Sequence, residues 1–435
     1  MSFNRTTLAL GCALVIAGCT QGGGSPGAAG PGSSSMLPNV PLAGSRPGRL
    51  HPLSGSGNPA LYVFQGPPDG YQPQSGLANI GGTVYGTTYQ GGTKNEGVVY
   101  AVTAGGVETI LHNFGTKSKD GINPDGPLTA VNGTLYGTTY QGGAEHGTIF
   151  SITPSGSYKI LYNFGTVPFD CIEPDTALTY VPSKNALYGV AYGGGATGEG
   201  CIFKLNIAGN KPKESTVYSF TGTASSSTAA SAVVFYKNAL YGTTPGGGAT
   251  GNGAVFKVTL SGTESIVYSF GGAPDGVEPQ SALTLVGNTF YGTTTYGGTP
   301  QVGACGNFGC GTLFSLTPGG KETVLHRFVD LASGQDGLEP QTPMIDAGGT
   351  LYGTTANSTY QYGTIYALAP SHSGGGYSVY YTFDPGTTAN YPETPRAPLI
   401  SIGGSLYGTT WADSSACSIT NAGCGTVFAV AAGAK

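Results

Sequence analysis

Apolar and polar positions alternate in short runs along most of the chain, and the runs return in the same order. Around Tyr136 they read DGINPDGPLTAV, TLYGTT, GTIFSIT and ILYNF. Each core run is short, rich in β-branched and aromatic residues, and bounded by Gly, Pro or Asp. That pattern predicts four strands per unit, here lettered A (PLTAV), B (TLYGTT), C (GTIFSIT) and D (ILYNF). A Tyr-Gly pair marks every strand B, at Tyr85, Tyr136, Tyr188, Tyr241, Tyr291, Tyr352 and Tyr407. The phenylalanine ending each strand D recurs at Phe64, Phe114, Phe164, Phe220, Phe270, Phe328 and Phe383. The segment before strand A is degenerate near Ser231 and near Pro395. Units of about fifty residues holding four strands each read as propeller blades.

The phase of the repeat predicts closure. The first recognisable strand is an isolated D, Leu61 to Phe64, and the last unit stops after its C strand at Val430. A three-stranded last blade would leave an open edge. The N-terminal strand fills it if it pairs beside Thr426–Val430. The predicted fold class is therefore all-β: a seven-bladed propeller of four-stranded antiparallel blades, its ring closed by an N-terminal outer strand.

Composition agrees. Gly (77) and Pro (29) make up close to a quarter of 435 residues, without the every-third-residue glycine of collagen. Charged residues are only 9% and tyrosine (27) exceeds phenylalanine (17), which opposes both disorder and helix. A net charge of −5 gives no electrostatic case for nucleic acid.

The chain begins MSFNRTTLALGCALVIAGCT. One arginine, an apolar run from Leu8 to Ala17 too short to span a bilayer, and small residues before Cys19 predict a lipoprotein signal over residues 1–18. Cys19 is then the lipidated residue, and the acyl chains are the membrane contact. Residues 19–58, rich in Gly, Ser, Pro and Ala, read as a flexible tether, and residues 59–435 as the propeller. The expected location is the bacterial cell envelope, at the outer membrane or cell surface.

The ordered motifs LYGTT, GG, GTVF, LhxF and DGxxP resemble the GloVer-type tandem repeat of exported bacterial proteins, over residues 60–431. The resemblance implies a propeller and export. It brings no agreed biochemical activity.

The tyrosine of strand B is expected to fill the wedge between blades, with its neighbouring glycine permitting close backbone approach. In the Asp-Gly turns, Asp is expected to accept backbone N–H groups and Gly to take a positive φ. The acids Asp69, Asp120, Asp170, Asp275 and Asp336, with Glu173, Glu278 and Glu339, sit at equivalent positions, which marks turn chemistry. His112 and His326 replace a tyrosine in strand D, which indicates packing. No HExxH, paired Cys/His or DxDxDG pattern is present, so neither metal nor other cofactor is expected. Six cysteines remain after Cys12 and Cys19. Their repeat positions pair Cys171–Cys201, Cys305–Cys310 and Cys417–Cys424, as an oxidising compartment favours.

Alternating strand direction puts the D–A and B–C loops on one face of the ring. Four residues beyond each repeat tyrosine stand Tyr89, Tyr140, Tyr192, Pro245, Thr295, Ala356 and Trp411. The aromatic ones occupy blades 1, 2, 3 and 7, which are contiguous in a ring. Tyr89, Tyr140, Tyr192 and Trp411 are thus candidate ligand-binding residues, a stacking platform for sugar faces with Gln90, Gln141 and Asp413 nearby. The alternative is that they extend inter-blade packing. The expectation is a monomeric binding scaffold for a glycan, peptide or envelope protein, not an enzyme. Alternatives are a polysaccharide lyase or hydrolase and a purely structural envelope or adhesion role. A quinone-dependent dehydrogenase shares only the rhythm: the lone tryptophan, Trp411, is in strand B rather than closing strand D.

Overall fold

The computed structural model describes residues 58–431, except 210–211, 223–230, 300–304, 306–307, 330–335, 359–361, 371–375, 384–390, 414–416 and 418–422. The residues expected to form the signal peptide, Cys19 and residues 20–57 of the expected tether lie outside the described residues.

Seven antiparallel sheets succeed one another along the chain, each in the spatial order A-B-C-D. In blade 2 these strands are Thr129–Val131, Thr134–Thr139, Thr148–Ile152 and Tyr158–Asn163. The protein is a seven-bladed β-propeller. Blade 7 contributes Ile400–Ile402, Ser405–Thr410 and Thr426–Ala431, and its outermost strand is Ala60–Val63 from the other end of the chain. Tyr62 lies opposite Val427 and Val63 opposite Thr426. The Phe64 N–H donates to the Gly425 carbonyl at 3.0 Å. The ring closes as the repeat phase predicts.

Each seam between blades repeats one packing unit. The phenylalanine ending strand D meets, edge to face, the aromatic residue of strand C in the next blade. Centroid distances run from 5.0 Å for Phe64–Tyr100 and Phe164–Phe203 to 5.5 Å for Phe220–Phe256 and Phe328–Tyr366. That strand-C ring lies over the strand-B glycine of its own blade. A Cβ on Gly137 would stand 2.6 Å from Phe150 Cζ, and one on Gly189 2.3 Å from Phe203 Cζ. The strand-B tyrosines fill the wedges, as at Tyr188, packed with Phe220 and Phe256. Closer to the axis, hydroxyl groups link blade to blade: Thr129 Oγ1 donates to the Leu178 carbonyl at 2.6 Å, and Thr409 Oγ1 to the Ser75 carbonyl at 3.0 Å.

A second layer of pairing is absent from the sequence reading. The residues after the Asp of the D–A turn form a two-residue strand with the loop that follows strand B, as in Gly70–Tyr71 with Gln90–Gly91 and Gly121–Ile122 with Gln141–Gly142. The D–A and B–C loops therefore share a face and are hydrogen-bonded together. The expected positive φ of the turn glycine is corrected here. Gly70, Gly121, Gly276 and Gly337 are needed for close approach instead: a Cβ on Gly121 would lie 2.5 Å from the Thr139 side chain. The left-handed residue is the one before the proline, at Gln72, Asn123, Glu173, Glu278, Glu339 and Thr394, with φ between 53° (Asn123) and 59° (Glu173). Gln72, Asn123, Glu278 and Thr394 are each held from both sides. Asn123, for example, donates its N–H to the Glu96 carbonyl of the preceding blade at 2.9 Å and accepts the Tyr140 N–H at 3.0 Å.

All three disulfides form as paired above, with Cα separations of 5.8 Å (Cys171–Cys201), 5.1 Å (Cys305–Cys310) and 5.2 Å (Cys417–Cys424). In blade 3 the bond takes the place of a threonine pair. Cys171 stands where Gly121 stands in blade 2, Cys201 where Thr148 stands, and Ala191 replaces Thr139 to make room.

If the N-terminal strand closes the ring, truncation through Phe64 should destabilise the propeller relative to truncation just before Asn58. Loss of the buried Phe64 ring alone is expected to cost about 3–5 kcal/mol in urea unfolding. Equal stability of the two truncations would contradict the closure.

Candidate binding site at the mouth of the axial cavity

The residue following the repeat proline opens strand A toward the ring axis. In six blades it is Gln74, Asp125, Asp175, Gln280, Gln341 and Arg396, and all six line one cavity of about 210 Å³. Strand-A residues of every blade, including Ser231 of blade 4, contribute to its wall. Four of these six blades are neutral or cationic at this position. Blades 2 and 3 alone present carboxyl groups.

The aromatic residues ending strand B stand around this cavity. Tyr89, Tyr140 and Trp411 are half-buried, and Tyr192 is 56% exposed. None belongs to the buried seam clusters. Their counterparts on the opposite arc, Thr295 and Ala356, are buried. Three of the four connect to the cavity lining. The Arg396 guanidinium lies 5.2 Å over the Trp411 ring. The Tyr140 hydroxyl donates to Glu173 Oε2 at 3.1 Å, beside Asp175. Tyr89 stands within the field of the Asp125 carboxyl.

Of the polar groups expected nearby, Gln141 is exposed and Gln90 accepts the Tyr71 hydroxyl. Asp413 is corrected. It is 2% exposed, and its Oδ2 accepts the N–H groups of Cys424 at 3.1 Å and Gly425 at 2.9 Å. It organises the blade-7 loop and does not face a ligand.

Electrostatics single out the two cavity acids. Burial in the narrow channel pushes the Asp125 carboxyl up to about 6. Burial, with the neighbouring Asp125 charge added, pushes Asp175 up to about 7. Sequence reasoning passed over Asp125, Asp175 and Arg396 because it followed the acids that repeat. The signal was the reverse: a position that varies beside a proline that does not.

The repeated acids are structural. The Tyr62 hydroxyl donates to Asp69 Oδ2 at 2.8 Å, and Asp69 accepts the Gln65 N–H at 2.9 Å. Tyr162–Asp170 and Tyr268–Asp275 repeat the contact, each at 2.8 Å. His112 and His326 take the tyrosine's place against Asp120 and Asp336, at 3.2 Å and 3.0 Å. The exchange is coupled. Behind Tyr62, Tyr162, Tyr218 and Tyr268, the start of the next strand D carries Glu108, Glu214, Glu264 and Glu322, whereas the Tyr381 hydroxyl meets that of Tyr391. Behind a histidine the next strand D opens with Tyr158 or Tyr377, stacked on the imidazole at 3.7 Å and 3.5 Å. Among the described residues, no group of three or more His, Cys, Asp or Glu is placed to hold a metal ion.

The sequence profile of the Gloeobacter/Verrucomicrobia repeat matches residues 48–182 and 170–328. The chain belongs to the Gloeobacter/Verrucomicrobia repeat family. No curated protein matches it. Solved structures similar to this repeat protein include the β-propeller domain of the trilobed protease of Pyrococcus furiosus, described as having an open velcro topology. That domain is 9% identical, with 82% of this chain and 94% of that one covered and a TM-score of 0.47. PorZ, a surface component of the type-IX secretion system of Porphyromonas gingivalis, is 12% identical over 84% of this chain and 47% of that one, TM-score 0.49. A 6-phosphogluconolactonase-like protein of Bacteroides uniformis is 12% identical over 71% and 83%, TM-score 0.46.

The seam acids of this family member make stability depend on pH. Burial, then the charge of Asp69, pushes Glu108 up to about 7 from its ordinary 4.5. Glu214 and Glu322 rise to about 7 in the same way, beside Asp170 and Asp275. A carboxyl raised on folding binds more protons in the folded state. Its contribution is therefore full below pH 4.5 and lost as pH rises through about 7. The Tm should fall between about pH 5 and about pH 8, and Glu108→Gln, Glu214→Gln and Glu322→Gln combined should flatten the profile. A Tm that rises over that window would contradict this assignment.

Proposed function

We propose that this protein is an exported, lipid-anchored propeller that holds a saccharide at the mouth of its axial cavity. The observation that supports this most is the one-sided arc of aromatic rings, Trp411, Tyr89, Tyr140 and Tyr192, outside the buried seams and bordering a cavity that carries Asp, Gln and Arg side chains. Sugar rings carry apolar C–H faces rimmed by hydroxyls. Aromatic planes beside carboxyls and amides suit both features. The three disulfides, and the Ala17-Gly18-Cys19 sequence after an apolar run, support export and acylation. Palmitate incorporation lost in Cys19→Ser would bear out the anchor. Unchanged labelling would refute it.

A second reading, cleavage of a glycan, is favoured by one observation. Asp125 and Asp175 are neighbouring, unrepeated carboxyls raised to different degrees, as a proton donor and acceptor acting on a glycosidic bond would be. Product analysis of glycan incubations separates the two, since stable binding without new reducing ends leaves only the first.

The chain from Asn58 onward should bind members of a glycan panel. Tyr192→Ala should change unfolding stability by less than about 0.5 kcal/mol, because its ring is exposed. It should weaken binding by about two- to tenfold, the range of one aromatic stacking contact. Tyr89→Ala should weaken binding similarly. Undiminished affinity in both variants would overturn the aromatic site.

A further inference from the structure

Among the positions lining the axial cavity, only Asp125 and Asp175 are acidic, and they are neighbours in blades 2 and 3. Among the described residues neither carboxyl has an ion pair, since the recorded pairs are His112–Asp120 and His326–Asp336. Among the described residues, no side chain of another residue hydrogen-bonds to either. The groups around them offer no positive charge: Tyr89 faces Asp125, and Glu173, itself holding the Tyr140 hydroxyl, adjoins Asp175. Among the described residues, the one cation on the cavity wall is Arg396, which lies over Trp411 in blade 7, with Gln74 of blade 1 between it and Asp125 in ring order. Burial disfavours the charge on both carboxyls, and a cation seated between them would offset that cost.

A bare divalent ion fits poorly, because calcium takes six to eight oxygen ligands with several carboxylates among them, and the described cavity lining holds only two carboxyls. A single ammonium attached to a flat apolar ring satisfies carboxyls and aromatics together.

We infer that the axial cavity is a subsite for an amino sugar with a free amine, its ammonium between Asp125 and Asp175 and its ring face against Tyr89 and Tyr140. This rests on the saccharide reading above and names the sugar class. An N-acetylated sugar lacks the charge and adds an acyl group where the carboxyls converge.

The test is calorimetry of the chain from Asn58 onward with three trimers: glucosamine, N-acetylglucosamine and glucose (β-1,4-linked), at about pH 6.5. The glucosamine trimer should bind at least about tenfold more tightly than the other two, as a charge-assisted contact would give. Asp125→Asn with Asp175→Asn should bring the glucosamine trimer to within about twofold of the glucose trimer measured on the same variant. Binding to the unmutated protein should also release about one proton, read from the buffer dependence of the heat, since the ammonium displaces it from the carboxyl pair. This second readout holds if the double variant fails to fold. Equal binding of the glucosamine and N-acetylglucosamine trimers, a preference surviving in the double variant, or the absence of proton release overturns the amine subsite alone. Failure of all three trimers to bind overturns the saccharide reading and the subsite with it.

Discussion

An aromatic ring laid over a glycine holds each blade to the next, and the rest of the structure depends on that contact. The strand-C ring can lie flat across strand B only because the residue beneath it has no Cβ, as Gly137 beneath Phe150 and Gly408 beneath Phe428 show. Pressed there, it offers its edge to the phenylalanine of the preceding blade. Such pairs contribute about 0.5–1.5 kcal/mol each beyond the area they bury. The unit recurs at every seam, including the one that Phe64 makes from the far end of the chain. Ring closure is thus a packing requirement as well as a hydrogen-bonding one: without Phe64, Tyr100 loses its partner.

A ring fixed at its seams leaves the loops of one face free to vary. The left-handed residue before each proline, clamped in four blades between the preceding blade and its own strand B, sets where the next side chain enters the axial cavity. Six non-glycine residues accept that backbone conformation, which costs roughly 1 kcal/mol or more apiece. With the entry point constant, substitutions there change chemistry without moving backbone. Glutamine, aspartate and arginine exchange at one geometry, and the aromatic arc differs from the opposite arc on an otherwise symmetric frame.

The strands, their order, the closure and the disulfide pairs were legible because each repeats, and a repeat exposes its exceptions. Cys171 and Cys201 stood out against a glycine and a threonine in the other blades. The two-residue strands were not legible, since two residues carry no periodicity. The turn glycine was assigned a positive φ, where contact with a threonine explains it. The acids of the cavity were missed because Asp125 and Asp175 follow the strongly patterned Asp-Gly and Pro positions, and only the structure shows that this place faces the axis. The coupled exchange of Tyr–Glu for His–Tyr at the seams was present in the sequence but had no meaning until the three groups were seen to meet across two blades.

The account places ligand binding on one arc of one face, above the axial cavity. Hydrogen exchange with and without a bound glycan tests this most directly. Protection is expected at the ends of strand B in blades 7, 1, 2 and 3, around Trp411, Tyr89, Tyr140 and Tyr192, and at the segments carrying Asp125 and Asp175. Protection centred on blades 4 to 6, or on the outer strands D, would contradict it.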